Sequence, residues 1–218
     1  MGKLILYGND PSCPVRTCKL TLEALGLKYE YKLINTQAGE HKTKEFLRKN
    51  PQHTIPMLED DDKYIWDSHA ICAYLVNKYA KTDELYPKEP YARSIVDQRL
   101  HFESGVLFQG CIRNIALPVF YKNVTEVPRE KIDAIYEAYD FLEAFLGNEP
   151  YICGKTMTIA DFSIVSTVTS LVGLAPAIPK KITAWIDRLS KLPYYKEANA
   201  KGAEMLVDMF NDKITKIV

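Results

Sequence analysis

The 218-residue chain has no excess of charge of either sign, since 28 Lys and Arg stand against 28 Asp and Glu. That balance offers little to a polyanion, and no Lys/Arg run makes a local patch, so neither nucleic acid nor anionic membrane is an expected partner. No apolar stretch approaches the roughly 20 residues that a bilayer crossing needs. The opening KLILYG, Lys3 to Gly8, is far too short for the core of an export signal. A cytoplasmic location without membrane attachment is therefore expected. Internal repeats and low-complexity tracts are missing, which excludes solenoids and disordered arrays. The five cysteines, Cys13, Cys18, Cys72, Cys111 and Cys153, are scattered and odd in number. None opens a CxxC pair or joins histidines at zinc spacing, so no metal site is expected. In a reducing compartment the plain reading is free thiols, mostly buried.

Apolar residues make up 47% of the chain, enough for a sizeable core. Its character changes near residue 80. Before that point short strand-like runs alternate with helical patterns. Leu4 to Tyr7 is one apolar run, and Tyr29 to Ile34 is rich in Tyr, Leu and Ile. Val15, Cys18, Leu22 and Leu25 recur at helical steps. Lys44 to Lys49 reads as a short helix stopped by Asn50-Pro51. IPMLE and KYIWD flank three aspartates as a hairpin, and Ser68 is the expected N-cap of a helix running to Tyr79. The order β-α-β-α-β-β-α predicts a small mixed sheet, parallel at first and antiparallel at the hairpin.

Residues 81–90, with two prolines and mixed charges, read as a linker. Beyond it no strand is expected. Tyr91 to Leu117 reads as a long helix stopped by Pro118. Lys131 to Leu146 and Lys181 to Leu192 are amphipathic, and Asn199 to Phe210 is a weaker last helix. Ile159 to Leu174 is apolar or small nearly all round, as a fully buried helix would be. Thr158 and Asp161 before it have the spacing of a capping box, a structural reading of that acid. The chain thus divides into an α/β unit (1–80), a linker (81–90) and an all-α unit (91–218).

Three segments carry residues suited to chemistry. GNDPSCPVRTC, Gly8 to Cys18, joins the first strand to the first helix. Position 16 is Arg, so Cys13 opens no redox motif. Cys13 and Cys18 are separated by about 500° of helix, pointing some 140° apart, which disfavours a disulfide. In NPQHTIPML, Asn50 to Leu58, Pro56 at a strand start marks an edge, an ordinary strand opening or a cis turn. A cis bond would leave the backbone of Ile55 free to pair with an extended ligand. In WDSHA, Trp66 to Ala70, Asp67 and Ser68 stand at a helix N-terminus. They either cap it or receive the carboxylate and ammonium of an amino-acid head.

Taken together, KLILYG, the serine before a Pro-rich helix start, RTCKLTLEALGLKYE, EFLRKNPQHTIPMLEDDDKYIWDSHAICAYLVNKY, LYPKEP, QRLHFESGVLF and TIADFS resemble the cytosolic glutathione S-transferases, most closely the insect epsilon class of the delta/epsilon group. The resemblance spans nearly the whole chain and is looser toward the C-terminus. It implies an α/β thioredoxin-like N-terminal domain with a cis Pro56, an all-α C-terminal domain and a homodimer. It implies glutathione as co-substrate and small hydrophobic electrophiles as the second substrate, with peroxide reduction as a further activity. Asp67 and Ser68 would then hold the γ-glutamyl head and Ile55 the cysteinyl unit. His41 and His53 would lie by the glycyl carboxylate, with Thr54, Pro56 and His69 around them. Counting back 14 positions from Gly26, which closes LEALG, places Ser12 where the family's sulfur-binding hydroxyl stands. The electrophile pocket would draw on Pro14, Phe108, Ile112, Phe120 and Phe210, and His69 and His101 would face the partner subunit. Some relatives carry an arginine at position 112, where this chain has Ile beside Arg113. A non-catalytic ligand-binding protein and a thiol transferase acting through Cys13 are the competing functions.

Overall fold

A computed structural model describes residues 2–218. Four strands form the first sheet: β1 (Leu4–Gly8), β2 (Glu30–Leu33), β3 (Met57–Asp60) and β4 (Lys63–Trp66). Their spatial order is β2-β1-β3-β4, with β1 parallel to β2 and antiparallel to β3, and β3 antiparallel to β4. Side chains alternate across a strand, and β1 uses both faces. Leu4 and Leu6 join the main core with α1 (Cys13–Ala24) and α3 (Ser68–Tyr79). Ile5 and Tyr7 join a smaller core with Phe46 of α2 (Lys44–Lys49) and Met57. The expected α/β order and the mixed sheet are both present.

The second unit is helical: α4 (Pro90–Phe102), α5 (Asn114–Lys122), α6 (Arg129–Leu146), α7 (Ile159–Leu171), α8 (Lys180–Ser190) and α9 (Lys201–Lys213). Stretches with the wider π spacing, Glu103–Arg113 and Lys196–Ala200, connect α4 to α5 and lead into α9. Helix α7 is the centre of the molecule, with every residue but Thr169 buried. Three of its hydroxyls turn back on their own helix: Ser166 donates to Phe162 O at 2.8 Å, Thr169 to Val165 O at 2.7 Å and Ser170 to Ser166 O at 3.2 Å. At its start Thr158 and Asp161 form the capping box.

Three local expectations are corrected. The N-cap of α3 is Asp67, whose carboxylate Oδ1 accepts from His69 N at 2.9 Å and Ala70 N at 3.1 Å, and Ser68 is the first helical residue. Pro118 does not stop the long helix but lies inside α5. Proline removes the N–H that would bond Asn114 O, and Lys131 Nζ donates to that carbonyl instead, at 2.7 Å. Strands do occur beyond residue 80. β5 (Glu126–Val127) and β6 (Lys216–Ile217) pair in parallel, too short for any periodic signal.

Candidate active site

A cleft of about 830 Å³ runs between the two units, and all three N-terminal segments open onto it. The first segment is fixed by close approach. A Cβ on Gly8 would meet Val15 of α1 at 2.6 Å, so glycine lets strand and helix meet. The turn that follows is closed by Ser12 N donating to Asn9 O and Asn9 Oδ1. Ser12 is the N-cap residue of α1, with φ −69 and ψ 116, yet its side chain makes no capping bond. Pro14 in the first turn has no N–H to satisfy. The hydroxyl is left half-buried and uncommitted on the cleft wall. Cys13, 2% exposed, turns instead toward α7, its Sγ donating to Ser170 Oγ at 3.4 Å. All five cysteines are free thiols.

The second segment is organised by Asn50, which is fully buried. Its Nδ2 donates to Thr54 O at 2.9 Å and its Oδ1 accepts from Gln52 N at 3.0 Å. His53 is held at φ 47, and the Ile55-Pro56 peptide is cis. No hydrogen bond within the described residues engages the Ile55 backbone. The His41 ring lies 6.0 Å from that of His53, and its Nδ1 is buried without a partner. Burial, Lys42 and His53 together hold the His41 imidazole below its usual pKa. With Lys42 close by and His41 Nδ1 unpartnered, this corner suits an anion.

In the third segment Asp67 sits at φ 72, a region costly for residues with a side chain. Asp67 is exposed and Ser68 is buried beside it, and both reach the cleft. His69 Nε2 lies 2.6 Å from Ser163 Oγ and 3.1 Å from Glu103 Oε2, while Ser104 Oγ is 3.2 Å from Nδ1. Burial opposes a charge on His69, but Glu103 outweighs it and the pKa is raised. Glu103 is further held by Thr167 Oγ1 at 2.5 Å.

The opposite half of the cleft is apolar. Pro14, Phe108, Ile112 and Phe120 line it, as does Arg113 at the exposed rim. Phe210 does not: it is 1% exposed and stacks behind Phe120 at 5.0 Å. Met205, Leu206 and Met209 form the wall that it was expected to form, because α9 turns those side chains toward the cleft. His101 is exposed on α4, off the cleft. Asn50, Glu103 and Ser104 were not singled out in the sequence. The abrupt Asn-Pro helix stop was the one signal available for Asn50. Among the described residues no cluster of three or more His, Cys, Asp or Glu is placed to hold a metal.

The pattern described as "Glutathione S-transferase, N-terminal domain" matches residues 2–77, and "Glutathione S-transferase, C-terminal domain" matches residues 107–193. An epsilon-class glutathione S-transferase from the housefly, Musca domestica, is 56% identical, with 98% of this chain and 100% of that one covered and a TM-score of 0.95. A glutathione transferase homolog from Drosophila mojavensis, solved with bound glutathione, is 51% identical over 99% of this chain and 100% of that one, with a TM-score of 0.96. "Glutathione S-transferase 1" of Manduca sexta is 39% identical, covering 97% of this chain and 99% of its own. With both halves matched in order along one chain, and the same fold at this level of identity, the protein belongs to the glutathione S-transferase family.

Proposed function

We propose that this protein conjugates reduced glutathione to small hydrophobic electrophiles, a detoxifying reaction, and that Ser12 stabilises the reacting thiolate. The uncommitted Ser12 hydroxyl at the N-terminus of α1 carries this reading. A free thiol has a pKa near ~8.5 and is mostly protonated at neutral pH. Lowering it by two units needs ~2.7 kcal/mol of preference for the anion. A hydroxyl donor and the positive end of a helix supply energies of that order. The ligand thiol gives its proton to water, and the sulfur lone pair forms a bond to the electrophilic carbon as the leaving group departs with its electrons. Ser12 donates to sulfur throughout and forms no covalent bond.

The polar half of the cleft suits glutathione along its length. Asp67 accepts the α-ammonium and Ser68 donates to the α-carboxylate at the start of α3. The free Ile55 backbone, exposed by the cis Pro56, pairs with the cysteinyl unit. His53, His41 and Thr54 receive the glycyl carboxylate, and a carboxylate there raises the depressed pKa of His41. Pro14, Phe108, Ile112 and Phe120 hold the electrophile. The protein works as a homodimer in the cytoplasm, with His101 toward the partner subunit; His69 does not join it there, because Ser163, Glu103 and Ser104 of its own chain take up both ring nitrogens. A thiol transferase through Cys13 is disfavoured, because its sulfur is turned toward Ser170.

The test is conjugation of a chlorinated nitroaromatic by wild type, Ser12→Ala and Cys13→Ala. Ser12→Ala is expected to lose about 100-fold or more in kcat, as loss of one transition-state donor does. Cys13→Ala is expected to stay within about threefold of wild type. Wild-type turnover in Ser12→Ala would refute the mechanism.

A further inference from the structure

Arg16 is 1% exposed, and no carboxylate stands against it. It lies on α1, four residues after Ser12, and reaches across to the helical unit. Nη1 donates to Asn199 Oδ1 at 2.6 Å and to Thr169 Oγ1 at 3.5 Å. Nη2 donates to Ser170 Oγ and, at 3.3 Å, to Cys13 Sγ. The amide and hydroxyl acceptors are neutral, and the thiol is itself a donor to Ser170 Oγ. Nε is buried with no acceptor among the described residues. Tyr195 is the other titratable group near the guanidinium, and nearby Asp10 is paired with Lys19 at 2.9 Å. Helix α9 seals the site: a Cβ on Gly202 would meet Asp10 O at 2.1 Å and Arg16 Cδ at 2.7 Å, so only glycine lets the helix close here.

An arginine keeps its proton in proteins, so this is a full positive charge. Burying it without a counter-charge is unfavourable, and the buried field is only weakly screened. Helical side chains lean toward the N-terminus, and the contact with Cys13 Sγ shows that Arg16 does so. The charge therefore sits at the first turn of α1, against Cys13, the residue next to the Ser12 N-cap.

We propose that Arg16 is the uncompensated cation that stabilises the glutathione thiolate at Ser12, acting through space from the unit interface without touching the ligand. It is an electrostatic positioning residue rather than a catalytic one. The inference rests on the Ser12 reading above. On ionisation the thiol proton leaves to water in the cleft and the electron pair stays on sulfur.

The decisive variant is Asn199→Asp, which sets a carboxylate against the guanidinium and neutralises its field with little change of shape. The readout is the pKa of the bound glutathione thiol in the full-length protein, from thiolate ultraviolet absorbance against pH. Asn199→Asp is expected to raise it by about one pH unit, and the acid limb of kcat/KM should move with it. The Kd for S-methylglutathione, which has no thiol to ionise, should stay within about twofold. Arg16→Gln should act like Asn199→Asp, and Arg16→Lys should stay near wild type. If Arg16→Gln fails to fold, Asn199→Asp decides alone. A folded Asn199→Asp protein with a bound-thiol pKa within about 0.2 of wild type would overturn the inference. Failure of the Ser12 reading looks different: the wild type itself would hold glutathione at its solution pKa.

Discussion

Asp161 has no exposed surface, yet four donors converge on its carboxylate. Oδ1 accepts from Ile152 N and Trp185 Nε1, both at 2.9 Å, and Oδ2 from Thr158 N at 2.8 Å and Thr158 Oγ1 at 3.1 Å. Burial pushes its pKa up and these bonds pull it down, with the balance above the ordinary value. Asp161→Ala would strand two backbone amides and an indole N–H in the core. A loss of about 3 kcal/mol is expected, or roughly 6–12 °C in Tm for a chain of this size. KM for glutathione should stay unchanged in the folded fraction, since the acid does not line the cleft. Differential scanning calorimetry with steady-state kinetics checks both. Thr158-Ile-Ala-Asp161 was legible in the sequence because a capping box is a local pattern. Its Trp185 partner was not, because that contact joins residues 24 positions apart.

The long helix from α4 to α5 shows where sequence rules mislead. A proline inside a helix removes one hydrogen bond and crowds the preceding turn. A stop at Pro118 was therefore the reasonable expectation. The chain avoids it by bringing Lys131 of α6 to the orphaned Asn114 carbonyl. Lys131→Met is expected to cost about 1 kcal/mol. In a Pro118→Ala background, where residue 118 regains its N–H, the same change should cost clearly less. Chemical denaturation of the four proteins gives the coupling, and equal costs in both backgrounds would remove this explanation of the continuous helix. Within the α/β unit, by contrast, strand alternation and turn residues agreed with one another, and the sheet was readable to within a few residues.

At the scale of the whole molecule the two units are fastened by polar groups as well as apolar ones. His69 of α3 meets Glu103 and Ser163 of the helical unit. Its folded-state pKa is raised. The stabilisation is therefore complete below the ordinary histidine value of about 6.5 and is lost as pH rises through the folded value. His69→Gln should cost about 2 kcal/mol near pH 6 and less than half of that near pH 9. Urea unfolding at the two pH values tests the sign, and a cost that grew with pH would contradict it. Of the cleft, the N-terminal half could be read from the sequence because its residues fall in three compact motifs. Glu103, Ser104 and the Met205–Met209 wall could not, since their place depends on how two distant stretches dock. Phe210 shows the same limit, one step along α9 from the side chain that faces the cleft.

Helix α7 has a consequence of another kind. A segment buried on almost every side, with Ser166, Thr169 and Ser170 bonded to its own carbonyls, shares features with a helix meant for lipid. At 13 residues it is too short to cross a bilayer, so only protein can shelter it. Part of that shelter is α1, from the other end of the chain, through Cys13 and Arg16. During synthesis α1 emerges well before α7 and waits for it. Until the two meet, each offers a sticky surface to chaperones and to other copies of the chain. The proline-containing linker that marks a border in the sequence is thus no border for solubility, and neither half is suited to a life apart from the other.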